Sequence, residues 1–221
     1  MKDIPIIFPA PMVRALLDGR KTMTRKLAWG KPIPGLYESD GGPLTPIPRR
    51  SIWQRVKVGD RLWVCESLKR DYLPNIITNE PTNAEICVYA ADDEWVVDPC
   101  GFNLCWIWKQ ASCLSPRWAS RLTLIVTATK IERLQDITDA DAIAEGVTRH
   151  EQRALGYWVP GVEHPNKDFP VLSRPTAREM FAALWDVDHK PGAWLANPEV
   201  VAISFSVHEF NIDAMPKADA A

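Results

Sequence analysis

"RLTLIVTATKIERL", residues 121–134, is the stretch on which the fold turns. Leu122, Leu124, Val126 and Ala128 take every second position, interleaved with threonines and Ile125. That is the period of a strand with one buried face. "ITDADAIAEGV" (137–147) follows at once. Thr138 suits an N-cap, Asp139 and Asp141 suit the positive first turn, and Gly146 is a stop, so a short helix is predicted over 139–145.

Working outward, "RPTAREMFAALWDV" (174–187) places Met180, Phe181, Leu184 and Trp185 on one face and predicts an amphipathic helix. "PEVVAISFSVHEF" (198–210) reads as a closing strand, and "DAMPKADAA" as a frayed tail. Near the start, Pro11 fits a first helical turn, Met12, Val13, Leu16 and Leu17 follow at helical spacing, and Gly19 is a C′ stop; helix 10–18 is expected. "VKVGDRLWVCE" (56–66) is a turn at Gly59-Asp60 and then a strand, and "EICVYAA" (85–91) is another strand. Residues 30–55, 67–114 and 148–172 lack a sustained period and read as insertions. The strands are too few and too separated for parallel βαβ winding. The expected class is α+β: one domain over 1–221, a small, mostly antiparallel curved β-barrel with helices at its rim.

With 46% hydrophobic and 24% charged residues the chain can bury a core. Its net charge of −2 argues against tight nucleic-acid binding by bulk charge, so any basic surface is local. Cys65, Cys87, Cys100, Cys105 and Cys113 are odd in number and contain no C-x-x-C pair, which argues against a zinc site or disulfide framework and for free thiols in a reducing cytoplasm. Asp3, three prolines and Arg14 interrupt the N-terminal segment, unlike a signal peptide. No apolar run approaches the ~20 residues of a membrane span.

Chemistry concentrates in "GRKTMTRK" (19–26). Residues three apart on a regular strand face opposite sides. Lys21 and Thr24 therefore converge only if the chain is still turning at 21 and extended by 24. Cations just past a helix C-terminus are also favoured for purely local reasons, which applies to Arg20 and Lys21. Glu145 is a carboxylate at the negative end of its helix, disfavoured by roughly 0.3–1 kcal/mol unless a cation compensates, and Lys21 is a candidate. Trp29, Trp63, Trp118 and Trp194 are candidates to stack on a base, although most of ten tryptophans should be core. "SPRWASR" (115–121) gathers Arg117, Trp118 and Arg121 as a candidate RNA contact. His164, His189 and His208 have no triad spacing.

"LLDGRKTMTRK", "VKVGDRLWV", "IVTATKIERLQDITDADAIAEGV" and "VVAISFSV" together resemble the ASCH domain of the PUA-like superfamily, and the chain looks like the longer ASCH proteins of phages and prophages, where "SPRWASRLTL" and "LWDVDHKPGAWLANPEV" are also familiar. The matching pieces cover roughly half the chain. The family signature G-x-K-x-x-E-x-R, with threonine replacing glutamate in some members, reads here as Gly19, Lys21, Thr24 and Lys26. Lysine stands where arginine is usual, with Arg25 adjacent, and lysine does not reproduce an arginine fork. Small members with the threonine version are amidohydrolases of N(4)-acetylcytidine. The resemblance implies Lys21, Thr24 and Glu145 as the catalytic set, with no metal or cofactor. It implies a nucleoside or RNA ligand, for which Gly19, Arg20, Arg25, Lys26, Trp63, Arg117, Trp118 and Arg121 are the binding candidates. The alternatives are a non-catalytic RNA or modified-base module, a ribonuclease, or an accessory protein whose insertions bind a protein partner.

Overall fold

The structure, a computed structural model, describes residues 1–31, 37–39, 45–74, 78, 81–96, 115–151, 154, 156–162 and 172–214. Cys100, Cys105, Cys113, His164 and residues 97–114 of the 67–114 insertion lie outside these. The strands are β1 (Asp3–Phe8), β2 (Met23–Leu27), β3 (Trp29–Gly30), β4 (Tyr37–Glu38), β5 (Thr45–Pro46), β6 (Arg49–Arg50) and β7 (Arg61–Glu66), then β8 (Leu68–Pro74), β9 (Pro81–Tyr89), β10 (Thr123–Arg133), β11 (Thr148–Arg149), β12 (Tyr157–Trp158), β13 (Ser173–Arg174) and β14 (Glu199–His208). The helices are α1 (Ala10–Leu17), α2 (Asp139–Ala144) and α3 (Ala177–His189). The chain divides into two compact units.

The first unit comprises Met1–Gly19, Gly59–Ile125 and Ser206–Ala221. Its strands run in the order β1-β7-β10. β1 lies parallel to β7, from Asp3 opposite Arg61 to Phe8 opposite Glu66, and β7 lies antiparallel to β10. β1 was not expected from the sequence because Pro5 breaks its pattern. At the end of a sheet the missing N–H of Pro5 removes no obligatory ladder bond. Its alternation is nonetheless clear, with Ile6 and Phe8 buried and Ile7 exposed. α1 starts after Pro9 and buries Val13, Ala15 and Leu16. The hairpin β8–β9, in a segment read as an irregular insertion, contributes Leu68, Cys87 and Tyr89 to a cluster with Val96 and Ala119, against which Trp118 packs. Cys65 and Cys87 are buried free thiols.

The second unit comprises Arg20–Val58 and Val126–Phe205. Its main strands run in the order β10-β14-β2, and β14 pairs antiparallel with β2, Ile203 opposite Thr24. α2 and α3 pack on each other. α2 has the expected Thr138 cap, and both helices start on reciprocal capping boxes, Thr138 with Asp141 and Thr176 with Glu179. α3 buries Ala177, Met180, Phe181, Leu184 and Trp185, the face that the spacing predicted. The segments read as insertions carry short paired strands here, β3–β6, β4–β5 and the β11-β12-β13 sheet.

The α+β class stands. In each unit the strand order has two ends, so no barrel closes among the described residues. β10 also departs from its expected alternation. Leu124 and Val126 are fully buried, but Ala128 is exposed and lines an open cleft. No helix among the described residues is long and apolar enough to cross a membrane.

Candidate functional site

Gly19 has φ +68°, the left-handed turn that glycine adopts without strain. Two residues later Lys21 makes an isolated antiparallel bridge to Glu145, and the Thr22 N–H donates to the Ala144 carbonyl at 2.8 Å. β2 begins at Met23. The turn therefore lies at Asp18 and Gly19, while Lys21 is already paired as an isolated bridge residue two positions before β2 begins.

Glu145 ends α2 as its C-cap, before Gly146 at φ +106°. The carboxylate that was out of place electrostatically is compensated twice. Lys21 Nζ donates to Glu145 Oε2 at 2.8 Å and to the Glu145 carbonyl at 2.9 Å. Arg25 Nη1 donates to Glu145 Oε1 at 3.3 Å. Lys21 is 1%, Thr24 4% and Glu145 6% exposed, so the pair lies out of bulk water. Arg20 Nη1 reaches the Gly146 carbonyl at 3.3 Å and holds the turn after the helix.

The alternation of β2 separates two environments. Met23 and Arg25 share one face. They line a cleft of about 220 Å³ with Ala128, Glu132, Asp141 and Ser204. The Arg25 fork is fully committed there: Nε and Nη2 donate to Glu132 Oε1 at 3.0 and 2.8 Å, and Nη2 to Asp141 Oδ2 at 3.1 Å. Burial would push the Asp141 carboxyl up, but hydrogen bonds within the Thr138 cap and the Arg25 cation outweigh it and hold the group below its usual range.

Thr24 and Lys26 share the other face. Burial pushes the Lys26 ammonium below the ordinary lysine range, the nearby Lys21 cation adds to this, and Glu145 and Asp188 oppose it. Lys26 Nζ lies 5.8 Å over the Trp53 ring. Asp188, in the last turn of α3, keeps an exposed surface, yet crowding by protein raises its carboxyl; His189, Lys26 and Lys21 pull the other way. Lys21, Lys26, Glu145 and Asp188 therefore act on one another as one electrostatic group.

The chain matches no protein-family model, no curated protein and no solved structure. The site rests on its own geometry.

Of the remaining candidates, Trp29 and Trp194 lie in the second unit, and Trp63, Trp118, Arg117 and Arg121 in the first. Trp63 is half-buried in β7, and Trp118 packs on the Leu68 cluster. Arg117 is ion-paired with Asp3 and Asp213, both at 2.7 Å. Arg121 holds Glu66 at 2.9 Å and Asp92 and Glu94 at 2.8 Å, with its guanidinium 4.1 Å from the Tyr89 ring centroid. Both guanidinium groups are thus occupied by carboxylates. Sequence reasoning missed Glu132 and Asp188. Glu132 carried a signal, a carboxylate in phase with Leu122, Leu124 and Val126, while nothing in "LWDVDHK" marks Asp188.

Proposed function

We propose that this chain is an ASCH-type, PUA-like protein that removes the acyl group from N(4)-acetylcytidine-like nucleosides, with Lys21, Thr24 and Glu145 as the catalytic set. The observation that supports this most is the buried contact of Lys21 Nζ with the Glu145 carboxylate at 2.8 Å, beside the strand that carries Thr24. Amide cleavage needs a nucleophile, a base to take its proton and an acid for the leaving amine. The Thr24 hydroxyl forms a bond to the acyl carbon as the C–N4 bond breaks. The hydroxyl proton passes to a neighbouring base, and the leaving nitrogen takes up a proton. Water then cleaves the acyl-threonine and releases the acid. Within the set, Glu145 is the carboxylate that takes up and passes on that proton. Lys21, a double donor, is suited to holding the developing oxyanion or protonating the amine. Glu145 orients Lys21. No cofactor enters this scheme.

The test is incubation of the purified chain with N(4)-acetylcytidine. Cytidine release that falls at least 100-fold in Lys21→Ala is expected; no cytidine, or equal turnover by the variant, refutes it.

The second reading is a non-catalytic RNA or modified-base module, or a ribonuclease. The near-complete burial of Lys21 and Thr24 favours it, because a reacting group must be reached by substrate. A labelled RNA bound without cleavage separates the module from the nuclease.

A further inference from the structure

β3 and β6 pair with Trp29 opposite Arg50 and Gly30 opposite Arg49. A 3-10 turn, Ile52–Arg55, follows directly. The Ser51 N–H and the Gln54 side chain both donate to the Ala28 carbonyl, at 2.9 and 2.6 Å, and fix the turn against the strand pair. Between them lies a cleft of about 340 Å³ lined by Lys31, Arg49, Arg50, Ser51, Ile52 and Arg55.

Four cations share this small space, and all four are exposed. None makes an ion pair or hydrogen bond to a carboxylate among the described residues. The contrast within the molecule is sharp, since Arg25, Arg61, Arg117 and Arg121 each hold at least one carboxylate. In a chain of net charge −2 there is no shortage of acids. Like charges left together repel one another, and a concave wall of one sign focuses its field on an incoming anion. The Ser51 hydroxyl adds a second, independent feature, because its oxygen is buried and has no hydrogen-bond partner. Trp29 is 37% exposed, and its indole N–H is anchored to Glu199 Oε2 at 2.7 Å. That fixes the ring beside Arg50 with part of its surface free.

We propose that this cleft binds the phosphodiester backbone of a single-stranded nucleic acid, with Trp29 stacking on one of its bases. Cations that track phosphates beside an aromatic ring are the combination single strands require, and a duplex hides the base faces that such a ring needs. The proposal is independent of acyl hydrolysis at Thr24 and stands or falls separately. If both hold, the acylated base is presented within a strand. The arginines proposed here replace Arg117 and Arg121 as the nucleic-acid contact.

Fluorescence anisotropy of a labelled oligouridylate of about ten nucleotides tests this, with salt as the variable. Four phosphate contacts predict a log–log salt slope of about −2.8 for the intact chain, falling to about −0.7 in Arg49→Ala/Arg50→Ala/Arg55→Ala. The corresponding triple lysine variant keeps the charge and should keep the slope, which separates loss of charge from loss of fold. Trp29→Ala should weaken binding roughly tenfold and leave the slope unchanged. An unchanged slope in the triple alanine variant overturns the proposal, as does absence of binding at low salt. Equal binding of a matched duplex overturns the single-strand assignment. Displacement of the strand by inorganic phosphate at equal phosphate concentration makes the cleft a free-anion site and overturns it as well.

Discussion

Replacing Glu145 by glutamine removes one charge and almost no volume, so the response isolates electrostatics. Lys21, 1% exposed, would keep its contact to the backbone carbonyl at position 145 but lose the carboxylate at 2.8 Å. Removing the hydrogen-bonded carboxylate from an ammonium in that environment costs about 3–5 kcal/mol. Arg25 would lose only its weakest contact, at 3.3 Å, and retain Glu132 and Asp141. Lys21→Met is the converse. It leaves Glu145 with Arg25 as counter-charge, so a smaller loss is expected, about 1–3 kcal/mol. The two single changes therefore differ in a stated order. Combining them should recover part of the loss, with a coupling of at least about 2 kcal/mol, because neither charge is then stranded. Urea unfolding followed by far-UV circular dichroism measures these differences. In a thermal scan, at about 2–4 °C per kcal/mol, Glu145→Gln should lower the midpoint by about 6–20 °C. A loss below about 1 kcal/mol is what an exposed pair gives, and it would refute the view that this pair is held away from water.

Further outcomes follow from the same geometry. Arg121→Ala strands Glu66, itself 1% exposed, and should lower stability by several kcal/mol, whereas Arg117→Ala breaks mainly exposed pairs and should cost about 1 kcal/mol or less; denaturant midpoints distinguish them, and neither should change RNA affinity at low salt. Lys26 is depressed below 10.5 in the folded chain, so near that pH the unfolded chain binds more protons and stability rises with pH; the Lys26 contribution is present above 10.5 and lost as pH falls through the lowered value. The stability of the parent chain relative to Lys26→Met should therefore rise between neutral pH and 10.5, and a flat difference contradicts the burial of this amine. Gly19→Ala meets no atom within 4 Å, so its cost is that of the left-handed backbone alone, about 1 kcal/mol by unfolding.

The elements legible in the sequence were those that a local pattern specifies. The helix at 177–189 and the strand at 123–133 followed from apolar period, and α2 followed from Thr138 and Gly146. β1 was hidden by Pro5, which is tolerated only because of where that strand lies in its sheet. The short pairs β3–β6 and β4–β5 hold two residues per strand, too few for any period to register. At the site, Glu145 was visible as a charge at the wrong end of a helix, and Lys21 as its partner. The sequence offers no local partner for Arg25, whose carboxylates, Glu132 and Asp141, sit more than a hundred positions away. Lys31, Arg49, Arg50 and Arg55 lie in a proline- and glycine-rich stretch without a period, and only the fold brings them into one cleft.

The central claim, that Thr24 attacks an acyl amide beside the Lys21–Glu145 pair, is tested most directly by trapping. The purified chain is mixed with N(4)-acetylcytidine, quenched in acid, digested and mapped by mass spectrometry. An acyl group on the peptide that carries Thr24, absent in Thr24→Ala and accompanied by cytidine release, is the predicted result. Cytidine released at the parental rate by Thr24→Ala, or no release by the parent chain, would contradict it.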